Sequence, residues 1–136
     1  MTELRCIDKE GSERIYLLTC DYDPHKGEFD YRVYSNPLPS SGGFFELSVK
    51  EVGDELQVIS MNHNHMLEYK AKGIPDALLL YIAKHSGKSV RSSPAWGKGG
   101  EFRSTDATKV WDRLVAKNMA LYFESEDLYR VSEKSS

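Results

Sequence analysis

The sequence predicts one α+β domain in which a mixed, largely antiparallel sheet is flanked by two main helices. Three observations lead to this prediction. The first half of the chain contains segments that alternate apolar and polar residues with a period of two, as half-buried strands do. The second half contains two segments whose apolar residues repeat at helical spacing. The chain then ends in two short apolar runs around an acidic turn, which is typical of a hairpin.

Four strands are predicted in the first half. The first two are rich in branched and aromatic side chains, and a polar turn at 21–27 separates them. A loop at 36–43 follows, because its two prolines and two glycines suit neither a helix nor a central strand. The last two strands alternate on either side of Gly53 and Asp54, which predicts a hairpin. The four strands cover residues 14–20, 29–34, 44–52 and 55–61.

Two helices, a short strand and a hairpin are predicted in the second half. The first helix covers residues 75–85, and Gly87 lies where a C-terminal cap belongs. The second helix begins after the polar cap at 104–106. We expect Tyr81 and Trp111 to lie in the core. The remaining elements are a strand at 89–92, a glycine-rich loop at 93–103, and strands at 120–123 and 128–131 around the turn 124–127.

Length and composition indicate one soluble globular domain over residues 1–136, in which residues 1–13 and 132–136 could be flexible. The net charge of −3 argues against nucleic acid or an anionic membrane as a partner. The N-terminus lacks the apolar core of a signal peptide, and the longest apolar run is too short to span a bilayer. We therefore expect a cytoplasmic protein in which Cys6 and Cys20 are ordinary reduced thiols.

A basic turn that contains a glycine leads directly into the first predicted helix. The first turn of a helix offers unpaired amides and the positive end of the helix dipole, so an anion can dock there. Gly73 leaves room for the anion, Lys70 and Lys72 add positive charge, and Pro75 is tolerated in the first turn. The turn is therefore predicted to bind phosphate. On this interpretation, a bulky residue at Gly73 would abolish ligand binding and leave the fold intact.

The same turn resembles the pyrophosphate loop of the GNAT superfamily, the acetyl-CoA-dependent N-acyltransferases. The family signature is Arg or Gln, two residues, Gly, one residue, then Gly or Ala, and this chain has Lys70 first and Pro75 last. The order of predicted elements and the outline of residues 106–121 are also similar to the family. The resemblance implies a GNAT-like sheet and acetyl-CoA as cofactor. It places the cofactor's pyrophosphate at Lys70, Ala71, Lys72, Gly73 and Ile74.

The activity that the resemblance implies is transfer of an acetyl group from acetyl-CoA to an amine of a small molecule or protein. The amine must lose a proton before it attacks, and His63, after the strand at 55–61, is the candidate base. A solvated surface position for His63 and His65 stays open, and without a third ligand nearby they predict no metal site. A strand-end backbone amide would polarise the thioester oxygen. Acidic residues that would suit a cationic amine are Asp21, Asp23, Glu28 and Asp30.

Two other functions stay open. Pro75 has no amide to offer a phosphate, and Trp111 stands where the family often has a tyrosine that protonates the leaving thiolate. The chain could therefore be a non-catalytic module that binds a protein partner or a second copy of itself. Residues 76–131 also follow the layout of a winged-helix nucleic-acid binder. The acidic turn at 124–127 argues against that function, because a DNA-binding wing needs basic residues. Trp96, in the glycine-rich loop, could contact a ligand or fold back onto the domain.

Overall fold

The computed structural model describes residues 2–38, 42–62, 69–95 and 103–132. Within these ranges the chain forms eight strands and two helices. In chain order they are β1 (Thr2–Ile7), β2 (Glu13–Asp23), β3 (Glu28–Tyr34), β4 (Phe45–Val52), β5 (Glu55–Asn62), α1 (Ile74–Ser86), β6 (Val90–Arg91), α2 (Thr105–Ala116), β7 (Leu121–Phe123) and β8 (Leu128–Val131).

All eight strands belong to one open sheet, in the order β1-β2-β3-β4-β5-β6-β8-β7. Strands β1 to β5 form an antiparallel meander. Strand β6 then pairs with β5 in parallel, since α1 carries the chain back between them, and β8 and β7 continue the sheet as an antiparallel hairpin. The predicted class, an α+β fold with a largely antiparallel sheet and two helices, is confirmed.

The N-terminal strand was missed by the sequence prediction. The sequence indicates that residues 1–13 could be flexible, whereas in the structure β1 pairs with β2 from Thr2↔Leu18 to Ile7↔Glu13. Its inward side chains, Leu4 and Cys6, are buried. Burial raises the pKa of the Cys6 thiol to about 12, so this cysteine is an unreactive core residue. At the other terminus, residues 133–136 lie outside the described ranges.

Period-two alternation separates the two faces of the sheet. One row of directly opposed residues, Leu18, Val33 and Phe45, is buried on the inner face. The next row belongs to the outer face and is polar, and there Nε of Arg32 donates a hydrogen bond to Oε2 of Glu46 over 2.9 Å. An antiparallel sheet with one buried and one solvated face shows this pattern. The helices therefore cover the inner face.

Helix α1 lies on the inner face with five side chains fully buried. It contacts β1 at one end of the strand order and β6 and β8 towards the other end. Strands are about 4.8 Å apart, so the five spacings from β1 to β6 would span about 24 Å in a flat sheet, which exceeds the ~10 Å diameter of a helix. The sheet therefore curls around α1. The buried side chains are Ile74, Leu78, Leu79, Ile82 and Ala83.

Both helix caps that the sequence predicted are present. Gly87 ends α1 in the left-handed conformation, with φ 68°, and its amide donates to the carbonyl of Ala83. Ser104 begins α2, and its hydroxyl accepts a hydrogen bond from the amide of Ala107 over 3.1 Å. Trp111 on α2 is 1% exposed and stacks against Tyr129 of β8, as expected of a core residue. Tyr81 is only partly buried and stacks on His85.

Candidate ligand cleft and the turn before the first helix

Strands β5 and β6 separate soon after they pair. Their parallel ladder contains only Leu56↔Val90 and Gln57↔Arg91, although β5 continues to Asn62. The hydroxyl of Ser93, just beyond β6, donates to the carbonyl of Val58 over 2.7 Å and closes the base of the gap. Beyond this bond, β4 is the one strand paired with β5 among the described residues. A cleft therefore opens at the carboxyl ends of the two parallel strands.

The cleft has a volume of about 300 Å³ and lies between the end of β5 and the start of α2. Such a volume is at the lower end of the range for small-molecule sites. Trp111 lies at its apolar side, while Ser60, Asn62 and Ser104 give it polar groups. The full set of lining residues is Val58, Ile59, Ser60, Met61, Asn62, Ser93, Arg103, Ser104, Ala107 and Trp111.

A β-bulge lies in the wall of this cleft. Val58 is opposite Val49 and Ser60 is opposite Ser48, so Ile59 has no opposite residue on β4. A bulge redirects the backbone and removes its extra residue from the regular ladder. It therefore leaves a backbone segment beside the cleft that could contact a ligand. No feature of the sequence around Ile59 predicts this bulge.

Arg103 fixes the far wall of the cleft. Its side chain is 6% exposed, and one guanidinium nitrogen, Nη2, donates to Oδ1 of Asp127 over 3.0 Å. Its Nη1 donates to the carbonyl oxygens of Ser93 and Asp127, each over 3.2 Å. The guanidinium also lies over the ring of Tyr129, 4.8 Å from its centroid. Arg103 thus ties the end of β6, the start of α2 and the β7–β8 turn together, a role that its position at the end of a predicted loop did not indicate.

The basic turn before α1 is held in place by Tyr69. This side chain is 1% exposed, its hydroxyl donates to the carbonyl of Gly43 over 2.7 Å, and the same oxygen accepts from the amide of Ser35 over 3.1 Å. Ala71 then adopts a positive φ of 56°, and Gly73 caps the helix at φ 75°. Two left-handed residues in so short a segment turn the chain sharply from the sheet into α1.

The five residues predicted to bind the cofactor have different surroundings. Lys70 and Ala71 are exposed, Lys72 and Gly73 are partly buried, and the side chain of Ile74 is fully buried in the core. Among the described residues that line the cleft between β5 and β6, none of these five occurs. Gly73 instead lines a second groove, on the β1 side of α1. The turn and the cleft therefore lie on different sides of the two helices and do not line one common site.

The structure explains why position 73 is a glycine, which the sequence did not reveal. A Cβ atom at this position would lie 2.9 Å from the carbonyl carbon of Ile7 and closer still to its oxygen. The glycine is thus required because the backbone of β1 approaches the start of α1. The expectation that a bulky residue at Gly73 would leave the fold intact is wrong, since that residue would displace β1.

The first turn of α1 already carries an anionic group, the carboxylate of Asp76. Asp76 receives two hydrogen bonds from Arg113 of α2, from Nε over 3.1 Å and from Nη2 over 2.8 Å. The carboxylate is favourably placed near the positive end of α1. The hydrogen bond to Asp76 raises the pKa of Arg113, so this guanidinium stays charged. An aspartate in a first helical turn is visible in the sequence, but its partner lies 37 residues away.

The other predicted site residues lie partly outside the described ranges. His63, the candidate base, and His65 are not described, and neither is Trp96. Asn62, the residue before His63, lines the cleft. The acidic residues form cross-strand pairs on β2 and β3, Asp21 with Asp30 and Asp23 with Glu28, and are not among the lining residues.

In comparisons with known proteins, no family model, curated protein or solved structure matches the chain. Within the part of the chain that the structure describes, no helix is long and apolar enough to cross a membrane. Histidine, cysteine, aspartate and glutamate side chains form no cluster of three suited to a metal ion in that same part.

Proposed function

We propose that the protein is a GNAT-like acyltransferase that moves an acetyl group from acetyl-CoA to an amine. The observation that supports this most is the separation of β5 and β6 at their carboxyl ends, with a helix following each strand. Ligands of open sheets often bind in the crevice outside the carboxyl ends of parallel strands. The resemblance of the turn before α1 to a pyrophosphate loop gives the ligand class.

In this proposal, the thioester lies in the cleft beside the bulge at Ile59. The amine nitrogen attacks the thioester carbonyl carbon, the carbonyl oxygen becomes negative, and the C–S bond then breaks. A backbone amide near the bulge would stabilise the oxygen, because it needs no reorientation during the reaction. The amine loses one proton and the leaving thiolate gains one, so the products are an amide and a free thiol. His63 is the proposed base for the amine.

The described residues include no free tyrosine that suits protonation of the thiolate at this cleft. Trp111 lines the cleft, but an indole N–H has no useful acidity near neutral pH. Tyr122 donates its hydroxyl to Asp127 over 2.8 Å, and this hydrogen bond raises the pKa of Tyr122. The proton that the amine releases is therefore the proposed source for the thiolate, carried through solvent or His63.

Acetyl-CoA is expected to stabilise the protein against heat. At a hundredfold its dissociation constant, a ligand adds about 2.7 kcal/mol to the free energy of unfolding, and for a domain of this size the melting midpoint should rise by about 8–16 °C. Differential scanning fluorimetry with millimolar acetyl-CoA measures this shift directly. An unchanged midpoint would reject the acyltransferase proposal.

The variant Lys70→Glu tests where the pyrophosphate binds. Reversing an exposed charge at the proposed phosphate site should weaken acetyl-CoA binding about tenfold or more, because charge-assisted contacts contribute roughly 1.5–3 kcal/mol each. Lys26→Glu, an exposed lysine in the β2–β3 turn, makes the same change in net charge and should leave the affinity unaltered. Equal affinity in the two variants, measured by calorimetry, would place the phosphates elsewhere.

A non-catalytic binding module is the second candidate, and the first turn of α1 favours it. Pro75 removes one amide, Arg113 and Asp76 already neutralise each other there, and the backbone of Ile7 lies against Gly73. All three features weaken the ability of the turn to bind a phosphate. Nothing in the described residues favours the nucleic-acid alternative, because the hairpin β7–β8 is part of the sheet and its turn carries Glu124, Glu126 and Asp127.

A further inference from the structure

Among the described residues, one edge of the sheet has no neighbouring strand. Strand β1 is at the end of the strand order, and β2 is its single neighbour among the described residues. Apart from the carbonyl of Ile7, which lies against Gly73, the outward backbone donors and acceptors of β1 have no partner strand in the part of the chain that the structure describes. The opposite edge strand, β7, has only three residues and is followed by an acidic turn, so it is a poor template for pairing.

A groove of about 480 Å³ runs along this free edge. Its lining includes Glu3 and Arg5 from the outer face of β1 and Leu4 from the inner face, so the groove opens onto the edge of the strand itself. Across from them lie Leu80 and Tyr81 of α1, both only partly buried. An extended segment placed here could pair with β1 and cover these apolar side chains.

We propose that the segment is β1 of a second copy of this chain, joined in a two-fold antiparallel pair centred on Leu4. In this register Leu4 lies opposite Leu4 of the other copy, and Glu3 of each protomer is opposite Arg5 of the other. Opposite charges placed directly across an antiparallel pair stabilise it, and like charges destabilise it. The two copies would form one continuous sheet with an isologous interface.

The sequence of β1 selects this register among the two-fold alternatives. Residues that are directly opposite must point to the same face of the sheet, so every two-fold register is centred on a residue. The nearest alternatives to Leu4 as the centre are Glu3 and Arg5. Centring on Glu3 would place two glutamates opposite each other, and centring on Arg5 would place two arginines opposite each other. When the pair is centred on Leu4, both charged side chains of each protomer are opposite a side chain of opposite charge. The Arg5 side chain lies 3.7 Å from Glu13 of its own chain but is 71% exposed, so it can also contact a partner.

Charge reversal tests the proposal. The wild-type chain should show a concentration-dependent dimer in sedimentation velocity. Either single variant, Arg5→Glu or Glu3→Arg, converts both opposite-charge pairs into like-charge pairs and should weaken the dimer about tenfold or more. An equimolar mixture of the two variants should recover a heterodimer, and the double variant should recover the homodimer.

Lys26→Glu is the control for net charge and should dimerise like the wild type. Circular dichroism of every variant establishes that the fold is retained, which is expected because both side chains are exposed on the outer face. A wild-type chain that stays monomeric at all concentrations would overturn the proposal. So would a dimer that persists equally in both single variants. Neither result depends on acetyl-CoA, so a failure here leaves the proposed activity standing.

Discussion

Replacing Gly73 with alanine is expected to destabilise the protein by about 2–5 kcal/mol. The left-handed backbone at φ 75° disfavours a residue with a Cβ by about 1–2 kcal/mol. The new methyl group would also overlap the carbonyl of Ile7, and relieving such overpacking costs roughly another 1–3 kcal/mol. The melting midpoint, measured without ligand, should fall by about 10 °C or more.

Gly87 provides the matched control for this change. It caps the other end of the same helix at φ 68°, but a Cβ there would meet no atom within 4 Å. Gly87→Ala therefore has the backbone penalty without the steric one and should destabilise the protein by about 1–2 kcal/mol. Equal losses at the two positions would show that the backbone of β1 does not press against the start of α1.

The fold was largely predictable where periodicity is strong. Strands β2 to β5 and both helices follow from alternation or helical spacing, and the caps at Gly87 and Ser104 mark helix ends. Strand β1 was missed because its two inward residues, Leu4 and Cys6, are too few to stand out among charged neighbours. Propensity could not reveal that this segment completes the sheet and covers the start of α1.

The candidate site was much less predictable than the fold. The cleft depends on where the ladder between β5 and β6 stops, and the bulge at Ile59 depends on the register with β4. Both are set by long-range pairing, which a local pattern does not encode. The motif of six residues around Gly73 therefore predicts that the glycine makes room for a phosphate. The contact with Ile7 shows instead that it makes room for the backbone of β1. The two roles call for different experiments.

The two candidate surfaces lie on different sides of the helical layer. The cleft lies where α2 meets the end of β5, and the groove lies where α1 meets the free edge of β1. Leu114 of α2 lines the groove and Trp111 lines the cleft, one turn apart on the same helix. A second copy bound along β1 would therefore leave the cleft open to a ligand, so the two proposals are compatible in one molecule.

Arg103→Met is expected to destabilise the protein by about 3 kcal/mol, or on the order of 10 °C in the melting midpoint. The substitution keeps an unbranched apolar side chain but removes every hydrogen bond to Asp127 and Ser93. Removing the buried Arg103 leaves the partly exposed Asp127 without its counter-charge and the carbonyl oxygen of Ser93 without this donor. Asp127 keeps the amide of Ala95 and the hydroxyl of Tyr122, which holds the loss at the lower end of the usual range.

Arg32→Met is the control, because Arg32 makes the same kinds of contact in a more solvated place. It bonds to Glu46 and lies over the ring of Phe44, 4.7 Å from its centroid, but its side chain is 39% exposed. The loss there should be about 1 kcal/mol or less, as for other exposed ion pairs. A similar loss in both variants, measured by urea denaturation at neutral pH, would contradict the assignment of Arg103 as the tie that holds the cleft wall.

The effect of Arg103→Met should also depend on pH. The amide of Ala95, with Arg103 and Tyr122, lowers the pKa of Asp127 below its ordinary value of 3.8. A carboxylate with a lowered pKa stabilises the fold at higher pH, and that stabilisation is lost as the pH falls through its folded-state pKa. The difference in unfolding free energy between wild type and Arg103→Met should therefore shrink as the pH falls below 3.8. A difference that stays constant over that range would mean that Arg103 acts through its packing on Tyr129 and not through Asp127.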